Sequence, residues 1–245
     1  MRSRAWVNYL ATRREVADLL AAAATASDEV VPGQRMAFRE VILRAAMVML
    51  VGYFHAYLED LVEEWGDLLG SDFGRLSPIG QKYVLLHVQR HLSETLSQYP
   101  EEKLGDAAIQ VKFRRALEEC HDWIENPRSL AASPDRFRLE GFFRRWGAGA
   151  IDKALAHFRE DGVGFFSWLR SQHPSYADYY VRLHSAITVR NEVAHGSFQA
   201  RLTTEDVRRH RATLTLLVRK AESFLGGALE EAYNAASEAA KLAPQ

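Results

Sequence analysis

One long apolar segment constrains the fold of this chain more than any other feature. Residues 34–69 form the most apolar part of the sequence, and they predict a long central core helix. Elsewhere, segments with apolar residues at helical spacing are separated by short breakers such as Pro32-Gly33. We find no convincing alternation of apolar and polar residues of the kind that marks a half-buried strand. The pattern predicts an all-α protein.

The remaining helices are predicted between the breakers. Gly226-Gly227 is expected to end the core stripe of the last helix, followed by an Ala- and Glu-rich tail that forms a frayed or partner-dependent helix. A chain of 245 residues, 47% of them hydrophobic, is long enough for one sizeable core. We therefore expect a single domain over residues 1–245, with room for a helical insertion over 71–172. The further helices are expected at about 3–25, 81–97, 103–125, 138–146, 151–158, 165–171, 175–196 and 203–225. Thr203, with Asp206 three residues on, resembles a cap for the last of them.

Composition excludes several classes of protein. A net charge of −1 differs from the markedly basic balance of a protein that coats nucleic acid. The single Cys120 can form neither an internal disulfide nor a zinc knuckle. The charged residues Arg13 and Arg14 stand where a signal peptide would have its apolar core, and the longest apolar run, 45–54, is far shorter than the ~20 residues that span a bilayer. These features predict a cytoplasmic protein without membrane contact.

A cluster of polar residues in the C-terminal third carries the best indication of function. Arg190, Asn191, His195 and Gly196 fall within seven positions. An arginine and a nearby histidine can hold a phosphate and move a proton without a metal ion. The chemistry that this set favours is phosphodiester cleavage, with RNA as the substrate.

The cluster stands at the end of a predicted amphipathic helix. Ser175 and Asp178 match the Ser-x-x-Asp capping pattern of a helix N-terminus, and Gly196 is typical of a helix end. Arg190 falls inside the apolar arc of this helix. The other residues assigned to that arc are Tyr176, Tyr179, Tyr180, Leu183, Ala186, Ile187 and Ala194.

Two interpretations of the cluster are open from the residues alone. A guanidinium on a packed face needs an anion, which can be a carboxylate, a partner subunit or a substrate phosphate. In the structural interpretation, Arg190 ties to a buried glutamate and His195 caps the helix. In the functional one, Asn191 and His195 form a pair one turn apart on the border of the arc, beside an Arg190 that binds substrate.

The cluster also carries a resemblance to a known family. Arg190-Asn191-x-x-x-His195-Gly196 resembles the Arg-x(4–6)-His motif of HEPN-domain proteins, in the Arg-Asn-x-x-x-His-Gly form common there. The segment 44–61, RAAMVMLVGYFHAYLEDL, is similar to the long first core helix of the RiboL-PSP nuclease branch. Residues 142–147, FFRRWG, resemble a segment that precedes the motif helix in that branch. The similarity extends from about residue 35 to about residue 222.

The resemblance implies both a fold and an activity. It implies an antiparallel all-α bundle, usually dimeric, in which two Arg/His motifs face each other at the subunit interface. It implies a metal-independent endoribonuclease with no cofactor, often a toxin or an antiphage or stress effector. The implied partners are RNA, a second copy of the chain, and an antitoxin or another neighbouring-gene product. The alternative is a non-catalytic HEPN-like module that binds RNA, a nucleotide or a partner protein.

The expected mechanism is attack of a ribose 2′-hydroxyl on the adjacent phosphate, which leaves a cyclic phosphate and a free 5′-hydroxyl. His195 is the predicted general base or acid, and Arg190 the brace for charge that develops on the phosphate. Asn191 is expected to orient His195 or to bind a phosphate oxygen. Gly196 is expected to let the backbone turn close to the RNA.

A basic surface is predicted around the motif. Between residues 182 and 220 there are eight Arg or Lys and three Asp or Glu, which leaves an excess of five positive charges. Such a surface attracts a phosphate backbone, although a solvated face of an Arg-rich helix has the same composition. Arg182 and Arg201 are the residues in this region that we expect to bind substrate.

Three residues of the long core helix are predicted to support the motif. The resemblance places His55 where such proteins commonly carry a glutamate, in a Tyr-Phe-x-Ala-Tyr-Leu context. The resemblance implies that such a glutamate can hold the motif arginine. Because His55 stands at that position, this role does not carry over to the chain unless Glu59 or Asp60 substitutes.

Other candidate sites have weaker patterns. His87 and His91 stand one helical turn apart with Glu94 on nearly the same face, which is metal-ligand geometry in outline, but partly buried histidines are the favoured interpretation. Cys120 and His121 are adjacent on a helix, where their side chains diverge and cannot form a nucleophile dyad. No metal site is therefore predicted.

Aromatic residues near the motif allow two interpretations. They can stack on bases, as in proteins that bind single strands, but their helical spacing favours core or dimer contacts. The residues concerned are Phe142, Phe143, Trp146, Phe165, Phe166 and Trp168.

Overall fold

The all-α prediction is confirmed. The computed structural model describes residues 3–30, 36–69, 78–99, 103, 105–126, 147–156, 158–159, 161–197 and 201–242. Over these ranges the chain forms α-helices, with a 3₁₀ turn at Pro174–Tyr176 and no strand. The helices are α1 (Arg4–Thr25), α2 (Phe38–Leu69), α3 (Pro78–Ser97), α4 (Ala107–Glu125), α5 (Ala148–Ala156), α6 (Phe165–Gln172), α7 (Tyr179–Ala194) and α8 (Thr204–Leu242).

Some expectations lie outside the described residues. They include the helix predicted over 138–146, the FFRRW part of the segment similar to RiboL-PSP nucleases, and the break at Pro32-Gly33. The HEPN-like character of the helix arrangement stays a prediction.

The chain divides into two compact units. The stretch 71–172, considered above as room for an insertion, is shared between them. The motif belongs to the first unit, together with α1, α5, α6 and α7. The first unit comprises Met1–Val62, Leu139–Ala156 and Val163–Leu225, and the second comprises Glu63–Arg138, His157–Gly162 and Gly226–Gln245.

The core of the first unit is built on α2. Its buried side chains recur every three or four residues, as the 3.6-residue period of a helix requires. Tyr57 is 2% exposed, and its hydroxyl donates to the Val218 carbonyl oxygen at 3.1 Å and lies 3.2 Å from Glu222 Oε1. A buried phenol needs such partners, so these contacts fix α2 against α8. The buried residues of α2 in this unit include Leu43, Ala46, Met47, Leu50, Phe54, Leu58 and Leu61.

The same helix is apolar enough to pass a test for a membrane span. The most apolar 18-residue window within Phe38–Gly66 has a mean hydropathy of 1.7, and by length and composition the segment can cross a bilayer. Half of that window is buried inside the protein, and the core helix of a soluble protein passes the same test. The finding is compatible with the predicted absence of membrane contact.

The second unit contains a small core between α3 and α4. Val84, Cys120 and Trp123 are buried there. The His87 and His91 rings meet Trp123 edge-on, with centroids 6.4 Å and 4.9 Å away. Burial raises the pKa of the Cys120 thiol, so this cysteine is a core residue and not an activated nucleophile.

The His-Glu pattern on α3 is used for ion pairs and packing. His91 Nε2 lies 3.3 Å from Glu119 Oε2, and Glu94 accepts a hydrogen bond from Arg90 Nε at 2.7 Å. No group of three or more His, Cys, Asp or Glu side chains in the described part of the chain is arranged to hold a metal ion. His121 is exposed, whereas the adjacent Cys120 is buried, so their side chains diverge.

The ends of the helices match the prediction in part. The predicted cap of the last helix is present: Thr203 Oγ1 accepts from the Asp206 N–H at 3.1 Å, and Asp206 Oδ2 accepts from the Thr203 N–H at 3.0 Å. The helix expected from residue 103 begins instead at Ala107, because the Asp106 carboxylate caps it by accepting from the Ala108 N–H.

The tail after Gly226-Gly227 is helical, as expected, since α8 continues through both glycines to Leu242, and Leu225 is the last of its described residues that is buried in the core. A Cβ at either glycine would meet nothing within 4 Å, and neither has a positive φ. They therefore act as weak helix formers inside a helix and not as breakers.

Candidate functional site

The motif lies at the C-terminal end of α7, and the start of that helix differs from the prediction. Ser175 and Asp178 do not form a capping box, and Asp178 makes no side-chain cap. His173 Nδ1 instead accepts from the Ser175 N–H at 3.1 Å and caps the 3₁₀ turn that begins at Pro174. The fixed φ of proline suits the first position of a helical turn, so the imidazole just before it is placed to reach the free N–H.

The apolar arc of α7 is buried only in its middle. Leu183, Ala186 and Ile187 are buried. Tyr180 is 43% exposed and Ala194 is also exposed, although both were assigned to the arc. The core thus holds the central turns and leaves both ends of the helix at the surface.

Gly196 ends α7 in the way that the sequence predicts. Its φ is +70°, in the left-handed region that favours glycine. Its N–H donates to the Val193 carbonyl at 3.2 Å, and the Ser197 N–H donates to the Glu192 carbonyl at 2.9 Å. These two bonds are those of a Schellman motif. They hold His195, the last residue before the turn, in an exposed position.

Arg190 and Asn191 are joined by a side-chain hydrogen bond. Arg190 Nη1 donates to Asn191 Oδ1 at 3.0 Å, and both residues are half-buried. No side-chain hydrogen bond joins Asn191 to His195, contrary to the expected pair; only the His195 backbone N–H donates to the Asn191 carbonyl, at 2.9 Å. The Asn191 amide oxygen instead accepts from the guanidinium beside it. In the structure the Asn191 side chain is therefore joined to Arg190 and not to the histidine.

His55 of α2 is the predicted supporting residue whose pKa responds to the charge of Arg190. Burial, together with the positive charge of Arg190, lowers the pKa of His55 from 6.5 to about 4. At neutral pH His55 is therefore an uncharged imidazole. Its Nε2 lies 3.4 Å from Glu59 Oε1, one turn further along α2.

The other supporting candidates have different contacts. Asp60 accepts a long hydrogen bond of 3.5 Å from Asn8 of α1. Glu59 contacts His55, as described above. Of this group, His55 is the residue whose pKa is affected by the charge of Arg190, and it occupies the position where the resembled family has its glutamate.

The two arginines predicted to bind substrate lie apart from the motif. Arg201 Nη2 is 2.6 Å from Asp28 Oδ1, and Asp28 also pairs with Arg39 at 2.8 Å. Arg182 lies eight residues before Arg190, which is about 12 Å along a helix axis. Its guanidinium carbon is 5.1 Å from the ring centroid of Tyr179. Neither arginine joins Arg190 and His195 in one cluster.

The aromatic residues considered for stacking are core residues where the structure describes them. Phe165 and Phe166 are 2% and 6% exposed. Phe165 and Trp168 both pack against Phe224 of α8, with ring centroids 5.4 Å and 5.2 Å away. The core interpretation therefore holds for these residues, whereas Phe142, Phe143 and Trp146 lie outside the described ranges.

A different aromatic set, not predicted as a site, is accessible. We call it the aromatic row: His173, Tyr176 and Tyr179. Tyr176 lies edge-on to both of the other rings, with centroids 5.8 Å from His173 and 5.7 Å from Tyr179. The sequence places Tyr176 and Tyr179 three residues apart, a spacing that predicts burial on one face of a helix.

Comparisons of this chain with protein families, with curated proteins and with solved structures yield no match. The function therefore has to be argued from the residues of α7 and their surroundings. Those residues combine a cation held in one orientation with an exposed imidazole five residues further along the chain. Such a pair can bind an anion and exchange a proton with it.

Proposed function

We propose that this protein is a metal-independent endoribonuclease of the HEPN type that acts as a toxin or as an antiphage or stress effector. The observation that supports it most is the arrangement of α7: Arg190 is held by Asn191, and His195 is exposed at the end of the same helix. The resemblance of the motif and of the α2 sequence to HEPN nucleases supports the same function. The role as an effector rests on the resemblance alone.

Arg190 is the group that binds the scissile phosphate. The last carbonyls of a helix carry partial negative charge, so an anion at the end of α7 requires a nearby cation. Because His55 is uncharged at neutral pH, the positive charge comes from the guanidinium. With Nη1 bound to Asn191, its remaining N–H groups are the donors for phosphate oxygens. Stabilising the charge that develops during the reaction is typically the largest single catalytic effect.

His195 is the group that transfers the proton. It accepts the proton of a ribose 2′-hydroxyl as the O2′–P bond forms. The P–O5′ bond breaks, and the leaving O5′ takes up a proton. In a dimer with facing motifs, His195 of one copy accepts the first proton and His195 of the second copy donates the other. The products are a 2′,3′-cyclic phosphate and a free 5′-hydroxyl.

A substrate with one altered position tests this chemistry. Purified protein in EDTA is incubated with an RNA oligonucleotide, its cleavage site is mapped, and the ends are identified by mass. A second oligonucleotide carries a 2′-deoxy nucleotide at the mapped position. We expect cyclic-phosphate ends from the first and no cleavage of the second at that position. Cleavage of both at equal rates would rule out the 2′-hydroxyl as nucleophile, and binding of RNA without cleavage would favour the non-catalytic module.

A further inference from the structure

The aromatic row meets two positive charges. The Arg182 guanidinium carbon lies 5.1 Å from the Tyr179 centroid, and Lys220 Nζ lies 4.9 Å from the Tyr176 centroid. Both contacts are within the range of cation–π attraction. They hold each cation against the face of a tyrosine ring and so restrict both side chains before any ligand arrives.

Among the described residues, no carboxylate forms an ion pair with Arg182 or Lys220, although Asp178 stands one turn before Arg182 on the chain. Arg182 and His173 are exposed, and Tyr176 and Tyr179 are half-buried. The surface therefore offers flat rings and uncompensated positive charge side by side.

Neighbouring contacts fix the position of the row. The Tyr180 ring packs edge-on against Phe166 of the core, 5.2 Å away. The imidazole of His173 caps the turn on which Tyr176 stands. The rings are therefore presented by ordered backbone, which reduces the entropy lost when a ligand binds.

We propose that the aromatic row, with Arg182 and Lys220, binds a single-stranded segment of RNA. A single strand exposes base faces that stack on tyrosine rings or on a guanidinium plane, and it carries the phosphates that the two cations need. A duplex hides its base faces, so it satisfies only the charges. This inference rests on the proposed function, because it names the surface that holds the RNA which is cut at the motif.

The geometry of α7 relates the row to the motif. Tyr179 and Arg190 are separated by eleven residues, which is about 16 Å along the axis and about 20° from three whole turns. The two residues thus lie near the same side of one helix. A strand that runs along this side contacts the row at one end of α7 and Arg190 at the other.

Binding by a catalytically silenced protein tests the row independently of cleavage. In a His195→Ala background, anisotropy is measured with labelled oligouridylates of about 4 and about 16 nucleotides and with a duplex of the longer length. We expect Tyr176→Ala/Tyr179→Ala to weaken single-strand binding about 10-fold or more, and Tyr176→Phe/Tyr179→Phe to bind as the parent does. Val181→Ala, at a residue on the same helix that is 66% exposed, is the matched control and should change nothing.

A second measurement covers the case in which the alanine pair unfolds, as judged by its circular dichroism. Arg182→Gln/Lys220→Gln changes only side-chain charges, and it should lower the slope of log affinity against log salt by between one and two for the single strand. Unchanged binding by both pairs of variants, or an equal loss for duplex RNA, would overturn the proposed row. RNA cleavage is measured separately with the protein that keeps His195. If that protein cleaves RNA while the row variants bind RNA normally, the nuclease proposal is supported and the proposed binding role of the row is wrong. If the row variants lose RNA binding but the protein with His195 does not cleave RNA, the binding role of the row is supported and the nuclease proposal is wrong.

Discussion

Arg190 donates a hydrogen bond from Nη1 to Oδ1 of Asn191, its neighbour in the chain, at 3.0 Å. Neighbouring residues on a helix do not normally face each other, so this contact requires the long guanidinium to fold back over the helix surface. The bond removes rotamer freedom from an arginine that is half-buried near the neutral His55. An oriented guanidinium loses less entropy when it binds a phosphate.

The role of Asn191 as the residue that positions Arg190 can be tested with a double-mutant cycle. Arg190→Ala should lower kcat/KM for RNA cleavage about 100-fold or more, because a cation that stabilises the transition state is lost. Asn191→Ala should cost about 10-fold, a smaller loss because the charge remains. If Asn191 acts through Arg190, the double variant should be no slower than Arg190→Ala alone.

Arg14→Ala is the matched control for these variants, since Arg14 is exposed on α1 and its loss changes the net charge by the same amount. Single-turnover rates with matched circular dichroism provide the readout. Strictly additive losses in the double variant would mean that Asn191 contacts the RNA itself.

His55 makes stability depend on pH in a defined window. In the unfolded chain its pKa is near 6.5, and in the folded protein it is about 4, so between these values the unfolded state binds more protons. The contribution of the neutral His55 to the free energy of unfolding is complete above pH 6.5 and is lost as the pH falls to about 4. The side chain is 32% exposed, so after screening we expect a loss of about 1–2 kcal/mol.

The comparison is between the parent and His55→Gln, which cannot become charged. The free energy of unfolding of each protein is measured with urea from pH 7 to pH 4. The value for the parent should fall relative to the value for His55→Gln as the pH approaches 4. Parallel curves for the two proteins would contradict the lowered pKa of His55.

Gly196 should be intolerant of a side chain although there is space for one. A Cβ there would meet nothing within 4 Å, yet the φ of +70° strains any other residue. Gly196→Ala should therefore destabilise the protein by about 1–2 kcal/mol, measured by urea unfolding. Gly226→Ala is the contrasting variant: inside α8, with negative φ, it should stabilise by about 0.5–1 kcal/mol. Equal effects at the two positions would contradict the assigned helix end.

Gly164 allows a carboxylate from another helix to cap α6. Asp152 Oδ1 of α5 accepts from the Phe166 N–H at 2.8 Å, and a Cβ at residue 164 would lie 2.5 Å from Asp152 Oδ2. Gly164→Ala should displace the carboxylate and cost about 1–2 kcal/mol, seen as a lower Tm. Asp152→Ala should cost a similar amount, and the two losses should not add because they remove the same cap. Additive losses would show that the glycine has another role.

The local features of this fold could be predicted from the sequence. The Thr203–Asp206 cap and the glycine that ends α7 depend on residues a few positions apart, so short-range rules are sufficient for them. The long α2 core helix follows from its apolar period.

The features that sequence reasoning missed depend on residues distant in the chain or on competition for one group. Arg201 pairs with Asp28, 173 positions away, and no local pattern indicates that contact. His173 caps the 3₁₀ turn that begins at Pro174, whereas the sequence pattern predicts Ser175 as the capping residue. Tyr176 is half-buried and Tyr180 is 43% exposed because the core holds only the central turns of α7, which helical spacing alone does not predict.

The most direct test of the central claim compares the protein with His195→Ala on transfer RNA in the presence of EDTA. Both proteins are purified identically and matched by circular dichroism and Tm. The account predicts that the parent cleaves with EDTA present and that His195→Ala is slower by about 100-fold or more, the usual contribution of a general acid or base. Equal cleavage by both proteins, or none by either, would contradict the assignment of His195 as the catalytic residue of a metal-independent ribonuclease.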